Sequence, residues 1–438
     1  MLKIKTTILI LGDIFLLYLS LALTLVFRYG PADFQSSFGS HLQPFSAIFL
    51  IWILIFYLTD CYEIRSLKRD FVLIRNLAGV IILAAAVSVI LFYLFLNFFN
   101  LTPKTNLALF GVIFFILDLF WKFLIIRLDY ARTNLLAMGN SSTIQEIVSY
   151  LRQNPQLGYN VAFWLDDDLR EKGLDELRQL IVEKDIDLII LPTHFIKDDT
   201  AIIQLIYRLL PLGVKTLDSA DFFEMIFRKI PIEELEEGWF VGKIVSRRKA
   251  YDALKRAMDA VLSICLGLIL LPIMIINSVL IKLTSEGPIF YPQKRLGKNS
   301  NVFTLYKFRT MRNNHEGPLW TTANDKRLTF LGKILRYSHL DELPQLWNIL
   351  KGDISFIGPR PERVELAREY QNLPYYEIRH VIKPGLTGWA QVNYRPSASP
   401  EEAFEKLKYD IYYIKNRSFI LDIFIILKTI RLFFSNPE

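Results

Sequence analysis

The chain has 438 residues, a hydrophobic fraction of 52% and a formal net charge of +7, with a pI near 9.1 and a mean hydropathy of +0.28. That length holds about two or three domains, and the apolar excess makes a membrane protein the first class to test. The positive balance suits nucleic acid, anionic lipid or phosphorylated substrates, but no helix-turn-helix, zinc-finger or RNP pattern accompanies it, which argues against nucleic acid. Two cysteines, Cys61 and Cys265, and five scattered histidines support neither a disulfide framework nor histidine-centred metal chemistry.

Four apolar runs open the chain, at residues 7–27, 44–58, 77–99 and 107–128. A spanning helix needs about 20 apolar residues, and the second run reaches this only when 41–62 are included. No small-x-small site follows the first run, so a cleaved signal peptide is not expected. Lys3 and Lys5 precede the first run, Arg65, Lys68, Arg69 and Arg75 join the second to the third, and Arg127 and Arg132 follow the fourth. The opposite connections carry only Arg28 and Lys104, so both ends of this bundle are expected on the cytoplasmic side. Asp118 and Lys122 stand four apart in the fourth run. They fit a functional intramembrane pair, a purely structural pair, or a lysine reaching for the interface.

From about 133 the pattern changes. Strand-like segments at 133–139, 159–165, 187–191 and 214–217 alternate with helical segments at 141–153, 174–184 and 199–210. Such alternation predicts a Rossmann-like α/β domain with a parallel sheet. Only Gly139 follows the first strand, where a dinucleotide site needs several glycines, so a structural or regulatory domain without a nucleotide is expected.

The third part begins at a basic cluster, Arg247, Arg248, Lys249, Lys255 and Arg256. A fifth apolar run, 260–281, is long enough to span, yet Lys282, Lys294, Arg295 and Lys298 follow it. Basic residues on both flanks place both on the cytoplasmic side, and Pro272 in mid-run permits a bend. The combination predicts a re-entrant helix that turns near Pro272, with a straight span as the alternative. The last apolar stretch, 419–434, contains Asp422, Lys428 and Arg431 and reads as an interfacial amphipathic helix. The domain limits expected are therefore 1–130, 131–245 and 246–438.

Asp341-Glu342 is an acidic pair flanked on both sides by arginines and by turn-forming Gly-Pro segments. A carboxylate among cations stays ionised and can act as a nucleophile or hold a metal. Lys307, Arg309, Arg336 and Arg360 are cations of the kind that clamp phosphates. Gly358 and Gly385 would let the backbone approach a ligand. Taken alone, each residue fits a solvated surface better than a site.

The ordered set is more specific. Lys255-Arg-Ala-Met-Asp259, Lys307-Phe-Arg-Thr-Met311, Asp341-Glu-Leu-Pro-Gln345, Gly358-Pro-Arg-Pro361 and Pro384-Gly-Leu-Thr-Gly388 together resemble the bacterial sugar transferases, the polyprenyl-phosphate hexose-1-phosphate transferases. The front of the chain, and the segment Pro231-Ile-Glu-Glu-Leu235 with Trp239, resemble the long-form members. The resemblance implies a mainly α catalytic domain with a re-entrant membrane helix, on the cytoplasmic face of a bacterial inner membrane. It implies that Asp341 attacks the β-phosphorus of a UDP-sugar, and that undecaprenyl phosphate takes the sugar phosphate from the aspartyl intermediate. Glu342 would position the site and Mg²⁺ would sit on Asp341 and the substrate phosphates. The product would initiate exopolysaccharide, capsule or O-antigen assembly, and a homodimer is left open. Leu271 stands before Pro272 where the family commonly has serine, which leaves the bend to the proline alone.

Two other readings compete. Tyr251-Asp-Ala-Leu-Lys255 spells the Tyr-x-x-x-Lys pair of nucleotide-sugar dehydratases and epimerases, some of which are membrane-bound, but the glycine fingerprint of their cofactor is missing. A non-catalytic scaffold for polysaccharide assembly would have no use for Asp341 among phosphate-binding cations.

Overall fold

The computed structural model describes residues 2–59, 61–62, 71–94, 104–128, 133–165, 174–192, 204, 207–244, 248–311, 327–394 and 399–434. The chain divides into two compact units, Met1–Ser219 and Ala220–Glu438.

The first unit opens with helices α1 (Leu2–Tyr29), α2 (Phe34–Leu58), α3 (Phe71–Leu94) and α4 (Lys104–Leu128). Each contains a segment long and apolar enough to cross a membrane. The second helix begins ten residues before the apolar run that marks it; Phe34 and Phe38 stand at helical spacing with His41, Phe45 and Phe49, which are buried. The bundle has an apolar outer surface and admits polar groups to an interior that also buries Leu17, Leu21 and Leu25. Asp13, Ser20 and Thr24 of α1 are fully buried, whereas Leu11, Phe15 and Phe27 are largely exposed. That is the arrangement expected where lipid surrounds the bundle and polar groups must find partners inside it. Trp52 Nε1 donates to Ser88 Oγ at 2.9 Å and so joins α2 to α3. Lys122 Nζ lies 2.5 Å from Asp118 and 3.5 Å from Asp13, with all three side chains buried. The pair expected from spacing is thus an interior one that ties α4 to α1, and Lys122 does not reach outward to the interface.

The same unit continues with β1 (Thr133–Met138), α5 (Ser142–Gln153), β2 (Tyr159–Leu165), α6 (Leu174–Glu183), β3 (Leu188–Leu191) and β4 (Lys215–Asp218). The strands form a parallel sheet in the order β2-β1-β3-β4. All four residues of β3 are buried, as a parallel strand covered on both faces requires. Most of the helix expected at 199–210 lies outside the described residues. The turn after β1 is filled by its own chain: Trp164 Nε1 donates to Gly139 O at 3.0 Å, Gln145 donates to Asn140, and Ser141 caps α5.

In the second unit α7 (Ser219–Phe227) and α8 (Glu237–Lys243) precede the long α9 (Lys249–Thr284). Hairpin β5 (Phe290–Leu296) and β6 (Val302–Phe308) follows, then α10 (Phe330–Tyr337), a 3₁₀ turn (Leu340–Glu342) and α11 (Gln345–Lys351). The chain ends with β7 (Ser355–Ile357), α12 (Val364–Tyr370), β8 (Gly385–Thr387), α13 (Trp389–Asn393), α14 (Pro400–Asn416) and α15 (Phe419–Phe434). Ile230, Ile232, Leu235, Trp239 and Phe240 pack in one core with Leu366, Tyr370, Leu407 and Ile411. The boundary expected near residue 245 therefore falls inside this unit, since the segment before it contributes core side chains that a local reading could not assign.

The helix α9 is unbroken through Pro272, so any bend at that residue is a kink within a helix and not a loop between two arms. One face of α9 is used along its length. Arg256 donates to Ile349 O and Leu350 O, Ser263 Oγ to Leu346 O, Leu270 packs with Leu346 and Ile349, and Ile281 packs with Phe308 and Leu335. The opposite face, with Leu268, Ile269, Ile275, Ile276 and Leu283, is exposed and apolar. Helix α15 likewise has an apolar outer surface: Ile420 and Ile423 point outward, while Asp422 is buried and Ile425 fully so. Tyr251 and Lys255 each donate to Asp422 Oδ2 at 2.7 Å, and Tyr413 to Oδ1 at 2.7 Å. The Tyr-x-x-x-Lys spelling thus anchors the last helix to α9.

Candidate active site

The site is built on a strand end and a tight turn. Lys307 stands on β6, opposite Tyr291 of β5. Thr329 caps α10 through Gly332 N at 2.8 Å. The chain leaves α10 through His339, whose φ of 53° lies in the left-handed region and turns it sharply. Asp341 and Glu342 follow in the 3₁₀ turn.

The two neighbours have different surroundings. Glu342 Oε1 accepts from Lys307 Nζ at 2.5 Å and from Arg360 Nη2 at 2.9 Å. Burial by itself would raise the Glu342 carboxyl, but Arg360 and Lys307 outweigh it and hold the group well below the usual carboxylate range. Asp341 is 8% exposed and enters no hydrogen bond or ion pair with a described residue. Burial pushes its carboxyl up; Lys307 opposes this, while the charge on Glu342 adds to it. A carboxylate that is close to cations but bonded to none has lone pairs available for a substrate.

Arg360 is held from behind. Arg379, itself buried, donates to Arg360 O at 3.0 Å and to Asp410 Oδ2 at 3.0 Å. Arg295 donates to Pro361 O at 2.9 Å. Asn348, fully buried, accepts from Tyr306 N and donates to Thr304 O and Asp353 Oδ2, which fixes α11 against β6. The sequence analysis passed over Arg379 and Asn348 and read Arg295 only as a basic flank of the fifth apolar run. Only the richness of this stretch in arginine pointed toward Arg379, and nothing local marked Asn348.

The glycines serve a different purpose from the one expected. A Cβ on Gly385 would collide with Gly358 N, and one on Gly358 would meet Lys383 O and Gly385 N. What approaches each glycine is the other motif's backbone, joined in the parallel β7–β8 pair, and this contact sets Arg360 beside Glu342. The remaining cations divide. Arg336 Nε donates to Thr310 Oγ1 at 3.0 Å, and its charge acts on Asp341. Arg309 instead donates through Nη2 to Ser285 O and Oγ, both at 2.7 Å, at the end of α9. Pro272 lies on the exposed face of α9. Among the described residues no three His, Cys, Asp or Glu side chains gather as a metal cage.

Comparison with known proteins meets this geometry. The family model described as bacterial sugar transferase matches residues 250–436. A UDP-glucose:undecaprenyl-phosphate glucose-1-phosphate transferase of Klebsiella pneumoniae is 31% identical over 318 residues, 69% of this chain and 68% of its own length. The enzyme of the same name from Xanthomonas campestris pv. campestris is 33% identical over 318 residues, 67% of this chain and 64% of its own. A UDP-N-acetylgalactosamine-undecaprenyl-phosphate N-acetylgalactosaminephosphotransferase of Aeromonas hydrophila is 39% identical over 211 residues, 48% of this chain and 49% of its own. The chain belongs to the bacterial sugar transferase family. It covers about half of the Aeromonas relative's length and just under two thirds of the Xanthomonas one.

Proposed function

We propose that this protein transfers a hexose-1-phosphate from a UDP-sugar to a polyprenyl phosphate such as undecaprenyl phosphate, at the cytoplasmic face of a bacterial inner membrane. The inequality of the two adjacent carboxylates carries the reading. Glu342 is committed to Lys307 and Arg360, which leaves Asp341 as the nucleophile. An Asp341 oxygen attacks the β-phosphorus, forming an acyl phosphate. The bond from that phosphorus to the bridging oxygen breaks, and UMP leaves with the electron pair. An oxygen of the lipid phosphate then attacks the same phosphorus, and Asp341 departs as carboxylate. The product, a polyprenyl diphosphate sugar, starts a lipid-linked glycan.

Lys307, Arg336 and Arg360 supply positive charge beside the transferring phosphoryl group, the kind of fixed electrostatic support such reactions depend on. The unpaired carboxylate of Asp341 suits Mg²⁺, which takes one or two protein carboxylates and completes its shell with substrate phosphates and water. Bound there, the ion would offset the charge that develops on the departing UMP.

The lateral apolar surfaces of α9 and α15 support a membrane-surface setting. Residues on both sides of Pro272, from Arg256 to Ile281, contact the unit that carries Asp341. That favours a helix entering and leaving on one face over a straight crossing with water-filled space at each end. The names of the relatives make glucose and N-acetylgalactosamine the first sugars to try. The test is UMP release by the full chain, with and without undecaprenyl phosphate, across a panel of UDP-sugars. Lipid-dependent UMP release from at least one sugar is expected. Its absence with every sugar would overturn the proposal, and conversion of the sugar without UMP would favour a dehydratase or epimerase.

A further inference from the structure

Arg309 stands out among the cations of the second unit. Its residue is 6% exposed, yet its Nε and Nη1 are buried without a hydrogen-bond partner. No ion pair joins it to a described carboxylate. Guanidinium is charged at every accessible pH, and a buried charge without a counter-ion is strongly unfavourable. Only Nη2 is used, on Ser285 O and Oγ, where a cation also meets the negative end of the α9 dipole. That contact accounts for one nitrogen and leaves two donors in the planar fork that suits a phosphate.

Its position says which phosphate. Lys307 lies on β6 and Arg309 just past its end, where the pairing continues because the Arg309 N–H donates to Ile289 O. They therefore share a face of the hairpin, with Lys307 held at Glu342 and Arg309 displaced toward the end of α9. That end of α9 exposes Ile276, Val279, Leu280 and Leu283, an apolar surface on the helix face turned away from Ile281 that reaches to two residues before Ser285. A ligand there would have its charged group on Arg309 and an apolar chain along α9.

We propose that Arg309 receives the phosphate monoester of the lipid acceptor, while Lys307, Arg336 and Arg360 serve the nucleotide-sugar. This rests on the donor and acceptor roles proposed above. With the full-length protein in detergent, Arg309→Lys and Arg309→Met should raise the KM for polyprenyl phosphate about tenfold to a hundredfold, the loss of a charge-assisted hydrogen bond or more. The KM for the UDP-sugar should stay within about twofold, below what any such bond would cost.

A binding readout separates this from a structural role. Farnesyl phosphate should raise the Tm of the parent and not of Arg309→Met, whereas equal inorganic phosphate or UMP should produce no Arg309-dependent rise. Without ligand, Arg309→Met should melt at or above the parent, because an unpaired buried charge has been removed. A lower ligand-free Tm for Arg309→Met together with unchanged lipid KM in Arg309→Lys would make the residue a helix cap and overturn the proposal. So would a raised KM for the UDP-sugar, or an Arg309-dependent response to inorganic phosphate. If the parent itself shows no lipid-dependent UMP release, it is the proposed reaction that fails; the farnesyl phosphate melting series still decides whether Arg309 binds a lipid phosphate.

Discussion

Lys307 Nζ lies 2.5 Å from Glu342 Oε1, across 35 residues of chain, and this pairing separates the roles of two carboxylates that are neighbours in sequence. Arg360 reaches the same oxygen at 2.9 Å from the other direction. Glu342 becomes part of a fixed cationic frame, and Asp341 is left beside that frame with its own oxygens unused.

Asp341→Asn is expected to abolish transfer while the protein stays folded. Amide nitrogen or oxygen cannot form the acyl phosphate, and residual UMP release above about a tenth, ~1.4 kcal/mol of barrier, would exclude the nucleophile role. The variant should also melt no lower than the parent at neutral pH. Burial raises the Asp341 carboxyl in the fold, so its ionised form costs stability above that raised value, and the cost fades as pH falls. Asparagine removes the cost altogether.

Glu342→Gln should behave in the opposite way, losing both stability and activity. It leaves Lys307 and Arg360 without their anion, at a cost of about 3 kcal/mol, the low end for a buried pair because Arg360 is 36% exposed. The sign with pH follows from a depressed carboxyl: its stabilisation is complete above the unfolded value and is lost as pH falls toward the folded one. Glu362, held down to about 2 against burial by Lys406 and Arg379, shares this dependence. Chemical denaturation at a series of pH values should therefore show the gap between parent and Glu342→Gln closing below about pH 4.

A fragment beginning at Ala220 should fold and retain transfer, whereas one beginning at residue 245 should not. The shorter fragment loses Ile230, Ile232, Leu235, Trp239 and Phe240 from the core they share with α12 and α14. Each buried side chain of this size contributes about 1.5–3 kcal/mol, and together they rival the stability of a whole domain. Expression, melting and UMP release of the two fragments provide the comparison; equal behaviour would mean that residues 220–244 are dispensable.

Positions on either side of α9 should be accessible from the same side of the membrane. Lys249 and Asn301 are exposed and are better probes than Arg248, which donates to Arg417 O and Lys415 O. In a background lacking Cys61 and Cys265, Lys249→Cys and Asn301→Cys should both resist an impermeant maleimide in intact spheroplasts and both react after lysis. Labelling of Asn301→Cys alone in intact spheroplasts would instead mean that α9 crosses the bilayer.

The membrane helices, the alternating strands and helices, and the Asp341-Glu342 pair among arginines are local patterns. Run length, period and motif order are properties of neighbouring residues, so the linear chain displays them directly. Tertiary structure decided which carboxylate is paired, because Lys307 and Arg360 come from separate elements. It turned Tyr251 and Lys255 into anchors for Asp422, made Gly358 and Gly385 each other's neighbours, and drew residues 230–240 into the second core. It also sent Arg309 to Ser285 rather than to Glu342, although Lys307 stands only two positions away. Charge and burial act through space, and the partner that gives a side chain its role is set by whichever elements pack beside it.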